Sequence, residues 1–161
     1  MKKEYTTAQI KEKIRHYCAY QERSHNEVRT KLYGYGLYSS EVDEIISSLI
    51  TEGFLNEERY AKTFAGGKFR IKKWGRLKII NALEGNGISK TCIKSGINEI
   101  DQRDYLNTLL EILQKKINSL TDQDIFVKRD KIARYAIQRG FEPELVWALL
   151  KDLLPNWLVV L

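Results

Sequence analysis

The chain has 161 residues, 43% of them apolar, and a formal net charge of +6. That is enough apolar material for one domain or a short array of smaller units, which excludes a disordered chain. No apolar run approaches the roughly eighteen residues of a membrane-crossing helix, so no transmembrane segment is expected.

The opening MKKEYTTAQIKEKI has lysines but no apolar stretch behind them, unlike a secretory signal, and a cytoplasmic location is expected. Cys18 and Cys92 form no CxxC pattern and read as small core hydrophobes of a reducing compartment. Proline occurs only at 143 and 155, which favours helices.

Thr6 to Gln21 predicts a first helix, with Ile10, Ile14, Tyr17 and Cys18 on one face and Thr6 to Gln9 as a capping box. Ser24 to Glu27 is a second box. It opens a helix carrying Val28 and Leu32 that ends at Gly34 and Gly36. Ser39 or Ser40 is expected to cap a third helix, with Val42, Ile45, Ile46, Leu49 and Ile50 as its stripe and Gly53 beyond its end.

The pattern then repeats. When Gly36, Gly87 and Gly140 are aligned, apolar residues fall into matched columns: Val28, Ile79 and Ile132; Leu32, Leu83 and Ala136; Leu37, Ile88 and Phe141; Val42, Ile93 and Val146; Ile46, Ile97 and Leu150; Leu49, Ile100 and Leu153. Six columns in three copies predict an all-α chain of three tandem three-helix repeats, at 1–53, 54–101 and 102–161, with about nine helices and no sheet. In the second copy Asn56 is expected to cap a helix whose stripe is Tyr60, Phe64, Gly67 and Ile71. Gly67 there would permit close packing, and Gly66 with Gly67 would weaken or bend the helix. Trp74 and Gly75 start the next helix and Ser89 caps the one after. In the third copy Pro143 suits a first turn, Pro155 stops the last helix, and the apolar tail NWLVVL is expected to dock on its own repeat.

Charge is concentrated in the middle. Residues 1–53 hold eight Lys/Arg against eight Asp/Glu, residues 54–101 ten against five, and residues 102–161 nine against eight. No acid occurs from Arg59 to Leu83, a stretch with eight cations interleaved with Tyr60, Phe64, Phe69 and Trp74. Such interleaving suits a phosphate backbone or an acidic protein groove, and also an ordinary solvated helix face. On a helical wheel Lys62 and Lys73 fall opposite the apolar stripe while Arg59, Lys68, Arg70 and Lys72 flank it, so the cations are expected to face solvent.

Signatures of catalysis are lacking. His16 and His25 have no metal-ligand spacing with each other or with the cysteines, so no metal is expected. Gly66-Gly67-Lys68 is followed by Phe69 where a phosphate loop needs Ser or Thr. The glycines at 34, 36, 85 and 87 follow no predicted strand, against a dinucleotide site. Glu57 and Glu58 suit the dipole of a helix start better than acid-base work. The expectation is a non-enzyme without cofactor. Two readings stand open on the residues: a free-standing helix-turn-helix-like nucleic-acid binder, and a scaffold whose basic face meets an acidic protein.

The segment Glu52-Gly53-Phe54-Leu55-Asn56-Glu57-Glu58-Arg59-Tyr60-Ala61, followed by Phe64, Trp74-Gly75, Leu83 and Gly87-Ile88, resembles the RecX family, regulators of the RecA recombinase. Ser24-His25-Asn26-Glu27-Val28 with Leu32 and Gly36 resembles that family's first repeat. The resemblance implies an elongated, curved array of repeats lying in the groove of the RecA filament on single-stranded DNA. There it would damp RecA ATPase, recombinase and coprotease activities, within DNA repair and the SOS response. A monomer is expected, one that binds single-stranded DNA alone weakly and in a salt-sensitive way because phosphate contacts release counterions, with no membrane partner. By that analogy Arg59, Lys68, Arg70, Lys72, Lys73, Trp74, Arg76 and Lys78 form the interface, with Arg29, Lys31, Arg134 and Arg139 secondary. Reversal of Lys72, Lys73 and Arg76 to Glu is expected to cost little stability but to abolish regulation, with Lys11, Lys13 and Lys115 as neutral controls.

Overall fold

The structure, a computed structural model, describes residues 4–121 and 124–154. Nine helices and no strand occur among the described residues: α1 Thr7–Tyr20, α2 His25–Gly34, α3 Ser39–Thr51, α4 Glu57–Lys72, α5 Arg76–Gly85, α6 Lys90–Asn98, α7 Gln102–Ser119, α8 Ile125–Gln138 and α9 Pro143–Leu153. The all-helical expectation holds.

Local chemistry sets the starts. Thr6 and Gln9 form the reciprocal box at α1, the Gln9 amide donating to Thr6 Oγ1 at 3.2 Å and the Thr6 amide to Gln9 Oε1 at 2.8 Å. At α2 only half of the box forms. Ser24 Oγ accepts from the Glu27 amide at 3.1 Å, while the Glu27 carboxylate accepts from Tyr60 Oη at 3.0 Å. The N-cap of α3 is Tyr38, not Ser39 or Ser40, and its amide donates to Glu41 Oε1 at 3.1 Å. Asn56, Ser89, Asp101 and Asp124 cap α4, α6, α7 and α8 through side-chain oxygens, and Pro143 opens α9.

The three aligned glycines share one backbone state, with φ of 85° at Gly36, 76° at Gly87 and 98° at Gly140. In each copy the residue after the glycine donates its amide back to the preceding helix or turns into the core. Ile88 reaches the Leu83 carbonyl at 3.1 Å and Phe141 the Ala136 carbonyl at 3.3 Å. The first four apolar columns are buried in every copy; in the last two Ile97 and Leu153 are half-buried. Pro155 and the tail 156–161 lie outside the described residues, so the expected stop and docking are not at issue here.

Contacts divide the chain into two compact units. The first takes the residues up to Phe64 together with Leu83–Gly96, and the second takes Ala65–Ala82 together with those from Ile97 onward. The core of the first includes Ile10, Ile14, Val28, Leu32, Val42 and Leu55. In the second, α7, α8 and α9 pack on one another around Tyr105, Leu109, Leu113, Ile132 and Phe141. The helix α4 gives its first half to one unit and its second half to the other.

The apolar stripe expected for α4 is corrected. The helix runs unbroken through Gly66 and Gly67. Its buried face is Tyr60, Ala61, Ala65 and Phe69, whereas Ile71 is 79% exposed and a Cβ at Gly67 would meet nothing within 4 Å. Close packing by glycine occurs instead at Gly96, where a Cβ would stand 2.7 Å from the Ala61 carbonyl oxygen.

Candidate functional site

The basic stretch leaves α4 through an unusual turn. Lys73 has φ of 56°, the one non-glycine residue with positive φ among the described residues, directly after α4, whereas Gly36, Gly53, Gly87 and Gly140 supply positive φ two residues past their helices. Its amide donates to the Phe69 carbonyl at 3.0 Å, and that of Trp74 to Lys68 at 3.2 Å. Gly75 then lies against Gly140. The Gly75 amide donates to the Arg139 carbonyl at 2.8 Å and the Leu77 amide to Gly140 at 2.9 Å, and a Cβ at Gly75 would overlap the Gly140 backbone. The Trp-Gly motif is thus a backbone joint between two segments of the second unit.

Arg76 is tied into that joint. Its Nη1 pairs with Glu142 Oε2 at 2.8 Å, its Nη2 donates to Gln102 Oε1, and its guanidinium lies 3.7 Å from the centroid of the Tyr105 ring. The Tyr105 hydroxyl donates to Glu142 Oε1 and accepts from the Arg76 amide at 3.0 Å. Arg76 and Glu142 side chains are only 19% and 22% exposed. The expectation of a solvent-facing Arg76, cheap to reverse, is therefore corrected: its charge is neutralised inside a polar cluster walled by Phe69, Tyr105 and Phe141. Burial holds the Tyr105 phenol protonated, with its pKa pushed above the ordinary tyrosine range and the Glu142 carboxylate adding to the shift against the Arg76 amide.

Around this joint two members of the expected interface, Lys68 and Lys78, meet the Trp74 ring. The Lys68 ammonium stands 4.8 Å and that of Lys78 4.6 Å from the Trp74 ring, contacts worth about 0.5–1 kcal/mol each where exposed. Lys72 and Lys78 are exposed, and the exposed Arg70 folds its guanidinium over Gly66, which a Cβ there would meet at 2.8 Å. Lys73 is half-buried.

Arg59 belongs to the first unit and is not a free cation. Its Nε pairs with Glu22, and its Nη2 donates to the Gly53 and Phe54 carbonyls at 3.0 and 3.4 Å, so it braces the turn before α4. Of the secondary candidates, Arg29 pairs with Asp43 at 2.7 Å and Lys31 lies 5.3 Å from the Tyr17 ring. Arg134 is exposed. Arg139 donates to Tyr135 Oη at 3.2 Å and to the Lys72 carbonyl at 3.4 Å. Sequence reasoning passed over Lys115, Lys116 and Tyr135, which share a cavity with Lys73 and Arg139. The adjacent lysines on α7 were the only visible signal. Glu57, read as a dipole partner, also accepts from the Ser89 amide at 3.2 Å and from Cys92 Sγ at 3.7 Å. No group of His, Cys, Asp and Glu that could hold a metal ion occurs among the described residues, and no described helix is long and apolar enough to cross a membrane.

Fold and site together define a tandem three-helix protein whose joint in the second unit carries a clustered positive charge. Residues 56–96 match the family model described as RecX, second three-helix domain, and residues 103–150 that of RecX, third three-helix domain. The chain belongs to the RecX family. The regulatory protein RecX of Clostridium botulinum (strain Eklund 17B / Type B) is 28% identical over 132 residues, 81% of this chain and 61% of that protein. That of Clostridium perfringens (strain 13 / Type A) is 26% identical, over 83% of this chain and 63% of its own, so the chain spans under two thirds of the length of these relatives. That of Prosthecochloris aestuarii is 27% identical over 87% of this chain and 90% of its own. The crystal structure of RecX from Lactobacillus salivarius has the same fold, with a TM-score of 0.82 at 20% identity over 91% of this chain and 95% of that one.

Proposed function

We propose that this protein is a cytoplasmic, non-enzymatic regulator that binds the RecA filament on single-stranded DNA and lowers RecA ATPase, recombinase and coprotease activity. Membership in the RecX family carries this reading. The basic cluster supports it: Lys68, Arg70, Lys72, Lys73, Trp74 and Lys78 supply cations and a ring suited to phosphate and acidic surface. Arg59 and Arg76 serve the same interface by bracing the turns that present it, and Arg29, Lys31, Arg134 and Arg139 are its outlying contacts. Action as a monomer without cofactor belongs to the same proposal.

RecA ATPase on single-stranded DNA, measured with and without the protein, tests the reading directly. Suppression is expected at stoichiometric amounts, and weaker suppression by a Lys68→Glu/Lys72→Glu/Lys78→Glu variant whose helical circular dichroism matches the parent at the assay temperature. Unchanged hydrolysis with the wild-type protein would overturn the proposal. Binding to single-stranded DNA alone is expected to be weak and to fall with salt with a log-log slope of several units, as counterion release requires. A flat salt response, or preference for one duplex sequence, would favour the free-standing binder.

A further inference from the structure

A cavity of about 380 Å³ opens in the second unit between the end of α4, the end of α7 and α8, lined by Lys73, Lys115, Lys116, Ser119, Tyr135 and Arg139. Four of these are cations, and no carboxylate lines it among the described residues. Cations crowded into one concave site repel one another unless an anion joins them. Arg76, by contrast, has its charge met within the fold by Glu142 at 2.8 Å.

The donors are held in place rather than left to drift. Lys116 stands 4.5 Å from the Tyr135 ring and the Arg139 guanidinium 5.3 Å from it. Arg139 spends Nη1 on Tyr135 Oη and Nη2 on the Lys72 carbonyl, but its Nε is buried and meets no acceptor. Because Tyr135 Oη accepts from Arg139, its own proton is left to donate. Ser119 Oγ donates to the Lys116 carbonyl at 2.9 Å and keeps that turn of α7 closed. Lys73 enters from a left-handed backbone conformation that glycine would adopt with less strain, and only the lysine delivers a charge there.

We propose that this cavity binds a phosphate group. Three ammonium groups, a guanidinium and a phenol exceed what the two oxygens of a carboxylate satisfy, and they suit a tetrahedral oxyanion. The site goes beyond the regulatory reading and stands without it. Its phosphate comes either from a nucleic-acid backbone or from a free phosphate compound.

The test is amide chemical-shift titration of the full chain with inorganic phosphate at constant ionic strength. Saturable shifts are expected for residues 112–119 and 135–139. The apparent dissociation constant is expected to rise at least tenfold in Lys115→Gln/Lys116→Gln, and to rise also in Lys73→Gly, whose backbone suits the turn. Both variants should melt within a few degrees of the parent. Shifts matched by sodium chloride, or saturation unchanged in both variants, would sink the proposal. A decathymidylate without terminal phosphates then identifies the source. If it moves the same amides and phosphate reverses the effect, the backbone is the ligand; if it leaves them still while phosphate moves them, the ligand is a free phosphate compound. No RecA is present, so failure here and failure of the regulatory reading are seen in separate assays.

Discussion

At Arg76 and Lys72 the same basic segment holds residues of opposite character. Reversal of Arg76 sets a carboxylate against Glu142 and strips Tyr105 of its cation, so Arg76→Glu is expected to destabilise by about 2–4 kcal/mol, read as a shift in urea midpoint. Lys72→Glu, on an exposed side chain, should cost about 0.5 kcal/mol or less in the same assay. Equal losses at the two sites would contradict this division. Lys73→Gly trades a left-handed strain of about 1–2 kcal/mol for the greater unfolded-state entropy of glycine, about 0.4–1 kcal/mol. A net gain of about 0.5–1 kcal/mol is expected, and a loss would show that the lysine stabilises the fold itself. The sequence made the basic stretch plain, but a wheel drawn on one helix cannot see an ion pair formed 66 residues away, nor that Lys115 faces the same cavity as Lys73. If the proposed cavity binds phosphate, Lys115 is no longer a neutral control.

At the level of helices, glycines that look alike in sequence differ in sign. Gly67→Ala on α4 meets open space, so helix propensity alone decides and stability is expected to rise by about 1 kcal/mol. Gly96→Ala on α6 gains the same propensity but drives a methyl to 2.7 Å from the Ala61 carbonyl oxygen, an overpacking that costs about 1–3 kcal/mol. Its melting temperature is expected to fall while that of Gly67→Ala rises. The caps at Thr6, Ser24, Asn56 and Ser89 and the column glycines were legible because their signals are local, whereas Tyr38 carries no capping signal of its own and the α3 cap was misplaced by a residue. The buried face of α4 was not, because Ala61 and Ala65 give no hydropathy signal while the outward Ile71 gives a strong one.

Across the whole molecule the response to alkali reports how deeply three groups are set. Burial pushes the Cys18 thiol up to about 11, with Arg23 pulling it back and Glu22 adding to the rise. Tyr60 and Tyr105 are raised above the ordinary value of 10.0, by burial first, then for Tyr60 by the Glu27 carboxylate. A folded pKa above the unfolded one gives stability that is complete below the unfolded value and is lost as pH rises through the folded one. Thermal melts are therefore expected to be level from about pH 7 to 9 and to decline above it. The Cys18 share is lost from pH 9.0 to about 11, and the tyrosines add to the decline above 10. In Cys18→Ala the decline should begin about a unit later; an unchanged onset would place the effect elsewhere.

The joint at Gly75 and Arg76 also orders events on the ribosome. Arg76 emerges 66 residues before Glu142, and Gly75 emerges well ahead of the Arg139 carbonyl that receives its amide. At about 5–20 residues per second the arginine waits about 3–13 s for its carboxylate. Phe69 stands without its ring partner until Tyr105 follows, 29 residues after Arg76, and Phe141, which packs on Tyr105, arrives only at the end of the interval, while the full run of cations is already displayed. Charge repulsion between neighbouring nascent chains in that window would keep the exposed rings from aggregating until α7, α8 and α9 arrive.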